Sequence, residues 1–100
     1  MIFLTQLIYI KSGQEAVFNE FESIAIPIIS NYNGQLILRV RPEKSAYIES
    51  AVEMPYEIHL VKFNSEKDLQ NFMLDEERKK FIHLKEQSID NVVLIKGISL

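Results

Sequence analysis

The chain has no cysteine, which excludes disulfides, thiolate metal sites and a cysteine nucleophile. It has only two histidines, His59 and His83, so a multi-histidine zinc site within one chain is not expected, a His–carboxylate facial triad has no motif spacing behind it, and no cofactor is expected. Its three glycines, Gly13, Gly34 and Gly97, are scattered and form no phosphate-cradling loop. No serine has the flanking residues of a nucleophile elbow. Basic residues are in the minority, 11 against 14 acidic, for a net charge of −3. The run Arg78, Lys79, Lys80 is preceded at once by Asp75, Glu76 and Glu77, the pattern of a solvated helix face. Nucleic acid, which needs clustered Lys and Arg, is therefore not expected as a partner. Long hydrophobic runs are also missing. The first apolar stretch, residues 2–10, has no basic region before it, is interrupted by Gln6, and leads directly into a helix. It reads as a strand rather than a signal peptide, and nothing approaches a membrane span. A cytoplasmic protein is the default expectation.

What is present is an ordinary globular composition, 47% hydrophobic and 25% charged over 100 residues. That suits one domain spanning 1–100. Its apolar runs come in a definite order. Strands are expected over 2–10, 35–41, 57–63 and 91–96, with one helix between the first pair and another between the second. This is the ferredoxin-like βαββαβ order of an α+β fold, with both helices on one face of an antiparallel sheet.

The other sheet face needs a cover. In 2–10 the apolar residues Ile2, Phe3, Leu4, Leu7, Ile8, Tyr9 and Ile10 occupy both parities, as they do in strands buried on both sides. Residues 36–40 and 92–95 repeat the pattern. The chain has no further element to lie there, so a second copy of itself is the expected partner.

The first helix is expected to open at Ser12, since Ser12, Gly13, Gln14 and Glu15 match a capping box. Phe18, Phe21, Ala25, Ile28 and Tyr32 then form one apolar face. Pro27 predicts a kink between 23 and 27, and Gly34 is expected to take the positive φ that ends the helix. The second helical region breaks near Asp75, which can recap it. The connection 42–55 is too long for a tight hairpin and predicts an extra extended stretch at 46–52.

Candidate chemistry centres on His59, in the third strand between Ile58 and Leu60 and of one parity with Glu57, Val61 and Phe63. A neutral imidazole there can act as a general base; otherwise it is a core histidine held by a carbonyl or carboxylate. Arg39 and Arg41 share parity with Gln35 and Ile37. They could clamp a carboxylate or enolate, or pair with Glu53 or Glu57. Tyr9, Tyr32, Tyr47 and Tyr56 could line a pocket or belong to the core; Tyr32, at the end of the inward helix face, and Tyr9 are the ligand-binding candidates alongside Arg39. Gln6, polar within an apolar strand, needs partners if buried and could find them across a subunit interface.

Taken together, Lys11-Ser12-Gly13-Gln14 before Phe18 and Phe21, then Pro27-Ile28, Tyr32-Asn33-Gly34-Gln35, Glu57-Ile58-His59-Leu60 and Asp75-Glu76-Glu77-Arg78 before Phe81 resemble the dimeric α/β-barrel superfamily, and within it the NIPSNAP-like proteins and related small domains of unknown function. The resemblance implies a ferredoxin-like subunit whose sheet packs face to face with that of its twin. It also implies a histidine at the position of His59. Members include cofactor-independent monooxygenases of aromatic polyketides, lactone isomerases, haem-binding enzymes and domains without known activity. The expected function is therefore a cofactor-independent oxygenase or isomerase acting on a small apolar or aromatic ligand. The alternative is a non-enzymatic dimeric ligand-binding or structural domain.

Overall fold

The computed structural model describes residues 1–99. Strand β1 (Ile2–Ile10) leads to helix α1 (Glu15–Ile28), a 3₁₀ turn at Ile29–Tyr32 and strand β2 (Gly34–Val40). A long connection precedes β3 (Glu57–Phe63), which is followed by the short helices α2 (Glu66–Met73), α3 (Glu76–Lys80) and α4 (Ile82–Ser88), and then by β4 (Ile89–Ile98). The four strands form one antiparallel sheet in the order β2-β3-β1-β4. The helices cover one face, and the core between the layers is built from residues such as Leu4, Ile8, Phe18, Phe21, Val61 and Phe63. This is the expected α+β, ferredoxin-like arrangement.

The entry to α1 differs from expectation. Ser12 does not cap it: the helix begins at Glu15, and no side chain bonds at its start. Residues 11–14 instead form a β-turn closed by the Gln14 amide on the Lys11 carbonyl (3.1 Å). Gly13 sits in that turn at φ +80°, a value that a type II turn asks of its third residue. The turn uses the backbone that a capping box would need. α1 also runs unbroken through 23–27, and Pro27 stands one residue before its end. The backbone then tightens into the 3₁₀ turn, an ordinary way to finish a helix. Asn33, at φ 57°, takes the left-handed position expected of Gly34. Gly34 is needed for space: a Cβ there would stand 2.6 Å from Ile29 Cγ2 and 2.7 Å from Phe63 Cε1.

The second helical region follows the sequence closely. Ser65 caps α2 by accepting from the Asp68 amide (3.1 Å), and Asp75 caps α3 through the Arg78 amide (2.8 Å). No strand forms over 46–52; Lys44–Ala46 is a 3₁₀ turn and the rest of the connection is irregular.

Two irregularities in register shape the sheet. One lies between Tyr9 and Ile10. The other is a bulge at Ile37 in β2: Leu36 pairs with Val61, but Leu38 pairs with Leu60 and Arg39 with His59. An inserted residue reverses the side-chain alternation beyond it. Gln35, opposite Lys62, therefore faces away from the helices, while Arg39, opposite His59, faces towards them. The two do not share a face as simple alternation implied.

The face away from the helices carries Phe3, Leu7, Leu38, Val40, Ile58, Leu60, Val93 and Ile95, as the pairings Leu7 with Ile58 and Val93, and Leu60 with Leu38, require. The α-helices all lie on the opposite face, and the irregular connection reaches this one only near Tyr9, which bonds the Glu53 carbonyl. Among the described residues no helix is long and apolar enough to cross a membrane.

Candidate functional site

Between the sheet and the helices lies a cavity of about 390 Å³, a size typical of small-molecule sites. Its walls are mostly apolar, with Leu4, Ile8, Phe21, Val61, Phe63 and Leu69 among them. Leu94 and Met73 border it and are 57% and 46% exposed, which marks the mouth. Small Ala25 on α1 helps leave the space. Five polar side chains also line it: Gln6 from β1, Glu22 from α1, His59 from β3, Arg78 from α3 and Lys85 from α4.

His59 is held from behind. Glu57, two residues earlier on the same strand face, is 1% exposed and meets His59 Nε2 through Oε2. The same carboxylate accepts from Arg39 Nε (2.8 Å) and Arg41 Nε (2.7 Å). Burial alone would raise the Glu57 pKa, but the hydrogen bonds from His59, Arg39 and Arg41 outweigh it and lower the value to about 2. An ionised carboxylate can only accept, so Nε2 carries the proton that it receives from His59. In the neutral ring the lone pair is then on Nδ1. That atom has no protein partner among the described residues, and it is not a sealed orphan.

Glu22 is the opposite kind of carboxyl. It is 8% exposed, and no hydrogen bond to its side chain is seen among the described residues. Burial raises its pKa above 4.5, only partly offset by nearby His59 and Arg39. One carboxyl is thus pushed down and the other up around one histidine, the pattern that separates acid and base roles in active sites.

Gln6 is paired across the sheet with His59 and lies on the helix side, so it faces the cavity and not a subunit interface. Arg39 does not line the cavity. With Arg41 and Glu57 it borders a separate recess and acts on His59 through Glu57. Tyr32 lies outside the cavity as well, donating to Asp75 Oδ2 at 2.6 Å, beside the helix cap that Asp75 makes. Tyr9 points to the other sheet face and donates to the Glu53 carbonyl at 2.7 Å. His83 is exposed and lies beside Phe81. Among the described residues no group of three or more His, Asp or Glu is placed to hold a metal.

Glu22 and Lys85 were not singled out by the sequence, and Arg78 was expected on a solvated helix face, whereas it is turned inward and is 7% exposed. Glu22 had a legible signal: it lies four residues after Phe18 and three before Ala25, on the inward stripe of an amphipathic helix. Nothing in the charge run marked Arg78 as the residue that turns inward, since its neighbours Glu77 and Lys79 are exposed.

No protein-family model and no curated protein matches this sequence. Solved structures do match in fold. A protein of unknown function from Rhodopseudomonas palustris superposes with a TM-score of 0.84 at 11% identity, over 99% of this chain and 82% of that one. A NIPSNAP domain protein from Burkholderia xenovorans gives 0.71 at 8% identity, over 100% and 95%. A protein from Bacteroides fragilis, described as dimeric and with a ferredoxin-like fold, gives 0.68 at 11% identity, over 96% and 93%. The chain thus has the ferredoxin-like fold, and NIPSNAP proteins are among its structural neighbours.

Proposed function

We propose that the protein binds a small apolar or aromatic ligand in this cavity and removes a proton from it, as a cofactor-independent isomerase or oxygenase does in its first step. The observation that supports this reading is the orientation of His59. Its Nε2–H is held by an ionised, buried carboxylate, Nδ1 bonds no protein atom among the described residues, and the residue lines the cavity. Glu57 orients the ring and stabilises the imidazolium formed when Nδ1 accepts a proton, as the carboxylate does in a catalytic triad. The proton leaves an acidic C–H or O–H of the ligand and its electron pair stays behind as an enolate or phenolate. Glu22, when protonated, can donate a hydrogen bond to the developing oxyanion. Return of the proton from His59 to a different carbon completes an isomerisation. In an oxygenase the same anion would transfer an electron to dissolved O₂.

Proton abstraction is tested with 2-tetralone, an aromatic ketone with acidic C–H bonds, in deuterated buffer. Proton NMR should show exchange faster with the protein than with buffer. His59→Ala should return the rate to that of buffer while leaving the near-ultraviolet circular dichroism unchanged. If the wild type gives no acceleration while 2-tetralone shifts cavity resonances, the non-enzymatic ligand-binding reading replaces this one.

The active form in this reading is a homodimer in which two uncovered sheet faces pack together. The apolar side chains on that face support it, as does the description of the Bacteroides fragilis neighbour as dimeric. Sedimentation equilibrium should give twice 11.7 kDa. Leu60→Asp, at the centre of the face between Thr5 and Leu38, should give the monomer. A wild-type monomer would refute the assembly.

A further inference from the structure

Arg78 is a buried cation of the cavity wall whose side chain is poorly paired. It is 7% exposed, and its Nε is buried without a hydrogen-bond partner. Its one side-chain bond is a long one, from Nη1 to the Met73 carbonyl at 3.4 Å. Among the described residues no carboxylate is bonded to it. A guanidinium has five N–H donors, and burying it this poorly paired is costly. The rings of Phe72 and Phe21, with centroids 5.2 and 5.9 Å from Cζ, offset part of that cost through their π faces. They also hold the guanidinium in place, and they cannot replace an acceptor.

The surrounding charge leads to the same conclusion. Arg78 and Lys85 bring two cations to the cavity wall and Glu22 one carboxyl. Burial lowers the pKa of both Arg78 and Lys85 and raises that of Glu22, so none of the three is fully compensated by the others. The chain as a whole is acidic, at −3, yet the charged side chains that line this cavity are two cations and one carboxyl, with Asp75 facing Arg78 from the start of α3. An apolar chamber with an unpaired, aromatic-flanked arginine is suited to an organic anion.

Resting on the reading of this cavity as a ligand pocket, we propose that its ligand carries a carboxylate, held by Arg78, with an apolar or aromatic body against Phe21 and Phe63. The planar guanidinium presents parallel N–H donors that match a carboxylate in a way a lysine cannot. Anchoring the anionic end at Arg78, on the helix layer, leaves the rest of the ligand to lie against the sheet, where His59 is. Arg78 is then a binding and positioning residue, and His59 retains the proton transfer.

The test compares 2-naphthoate with 2-naphthamide, which have the same ring system and differ in charge at one end, by calorimetric titration of the full chain. Naphthoate should bind about tenfold tighter, the effect of one charge-assisted contact. Arg78→Met should bring the two affinities together by weakening naphthoate and leaving naphthamide unchanged. If Arg78→Met does not fold, Arg78→Lys decides: it keeps the charge and loses the fork, so the preference should fall severalfold. His59→Ala should keep the preference. Equal affinities in the wild type would overturn the carboxylate assignment and leave the pocket standing, whereas failure of both probes to bind would remove both. A preference that survives Arg78→Met, or that is lost in Lys85→Gln instead, would overturn the assignment to Arg78.

Discussion

Replacing Glu57 by glutamine should weaken the fold in a pH-dependent way. In the folded chain the carboxyl ionises at about 2, in the unfolded chain near 4.5. At about 1.4 kcal/mol per tenfold, that difference is roughly 3 kcal/mol of stability at pH 7. Two of its partners are partly solvated, since the Arg39 and Arg41 side chains are 31% and 47% exposed. Solvent screening reduces the share from each, so a net of about 1–2 kcal/mol is the better figure. The folded pKa is depressed, so the stabilisation is present above 4.5 and is lost as pH falls towards 2. Glutamine keeps the shape and accepts one hydrogen bond, but it cannot carry the charge. Urea denaturation at pH 7 should therefore show Glu57→Gln less stable by about 1–2 kcal/mol. Between pH 4.5 and 3 the gap should narrow as the wild type loses its own charge. A gap of zero at pH 7, or one that stays constant down to pH 3, would refute the account of Glu57 as an ionised hub.

Glu22→Gln should have the opposite effect. Burial raises the folded pKa of Glu22, so its ionisation costs stability above that pKa and costs nothing below 4.5. Calorimetry should show a higher Tm for the variant at pH 7.5 and no gain at pH 4. Ser65→Ala should cost about 1 kcal/mol through loss of the α2 cap, while Ser12→Ala should stay within about 0.5 kcal/mol of the wild type in the same urea titration. Gly34→Ala should cost about 1–3 kcal/mol in that assay by driving a methyl group against Ile29 and Phe63, and the loss should be smaller in an Ile29→Ala background, which removes the γ-carbon that the methyl group meets.

The order of strands and helices was legible because each apolar run carries its own period and its own breakers. β3 was bounded to the residue, since Glu57, His59, Val61 and Phe63 alternate with less buried neighbours. Asp75 was readable as a cap because a cap is a local bond over three residues. Ser12 misled for a related reason. Its capping box and a Gly13 turn compete for the same backbone, and which one forms depends on where β1 must hand the chain to α1.

The sequence by itself determined the βαββαβ order, the apolar character of both sheet faces, and the position of His59 on the helix side of β3. Those follow from alternation and periodicity, which are properties of neighbours in the chain. The tertiary structure decided the rest. A single extra residue at Ile37 turned Arg39 to the inner face, where with Arg41 it meets Glu57. The packing of α1, α3 and α4 over the sheet brought Glu22, Arg78 and Lys85 to one cavity with His59. Register shifts and helix docking are set by contacts between residues far apart in sequence, so no local pattern records them.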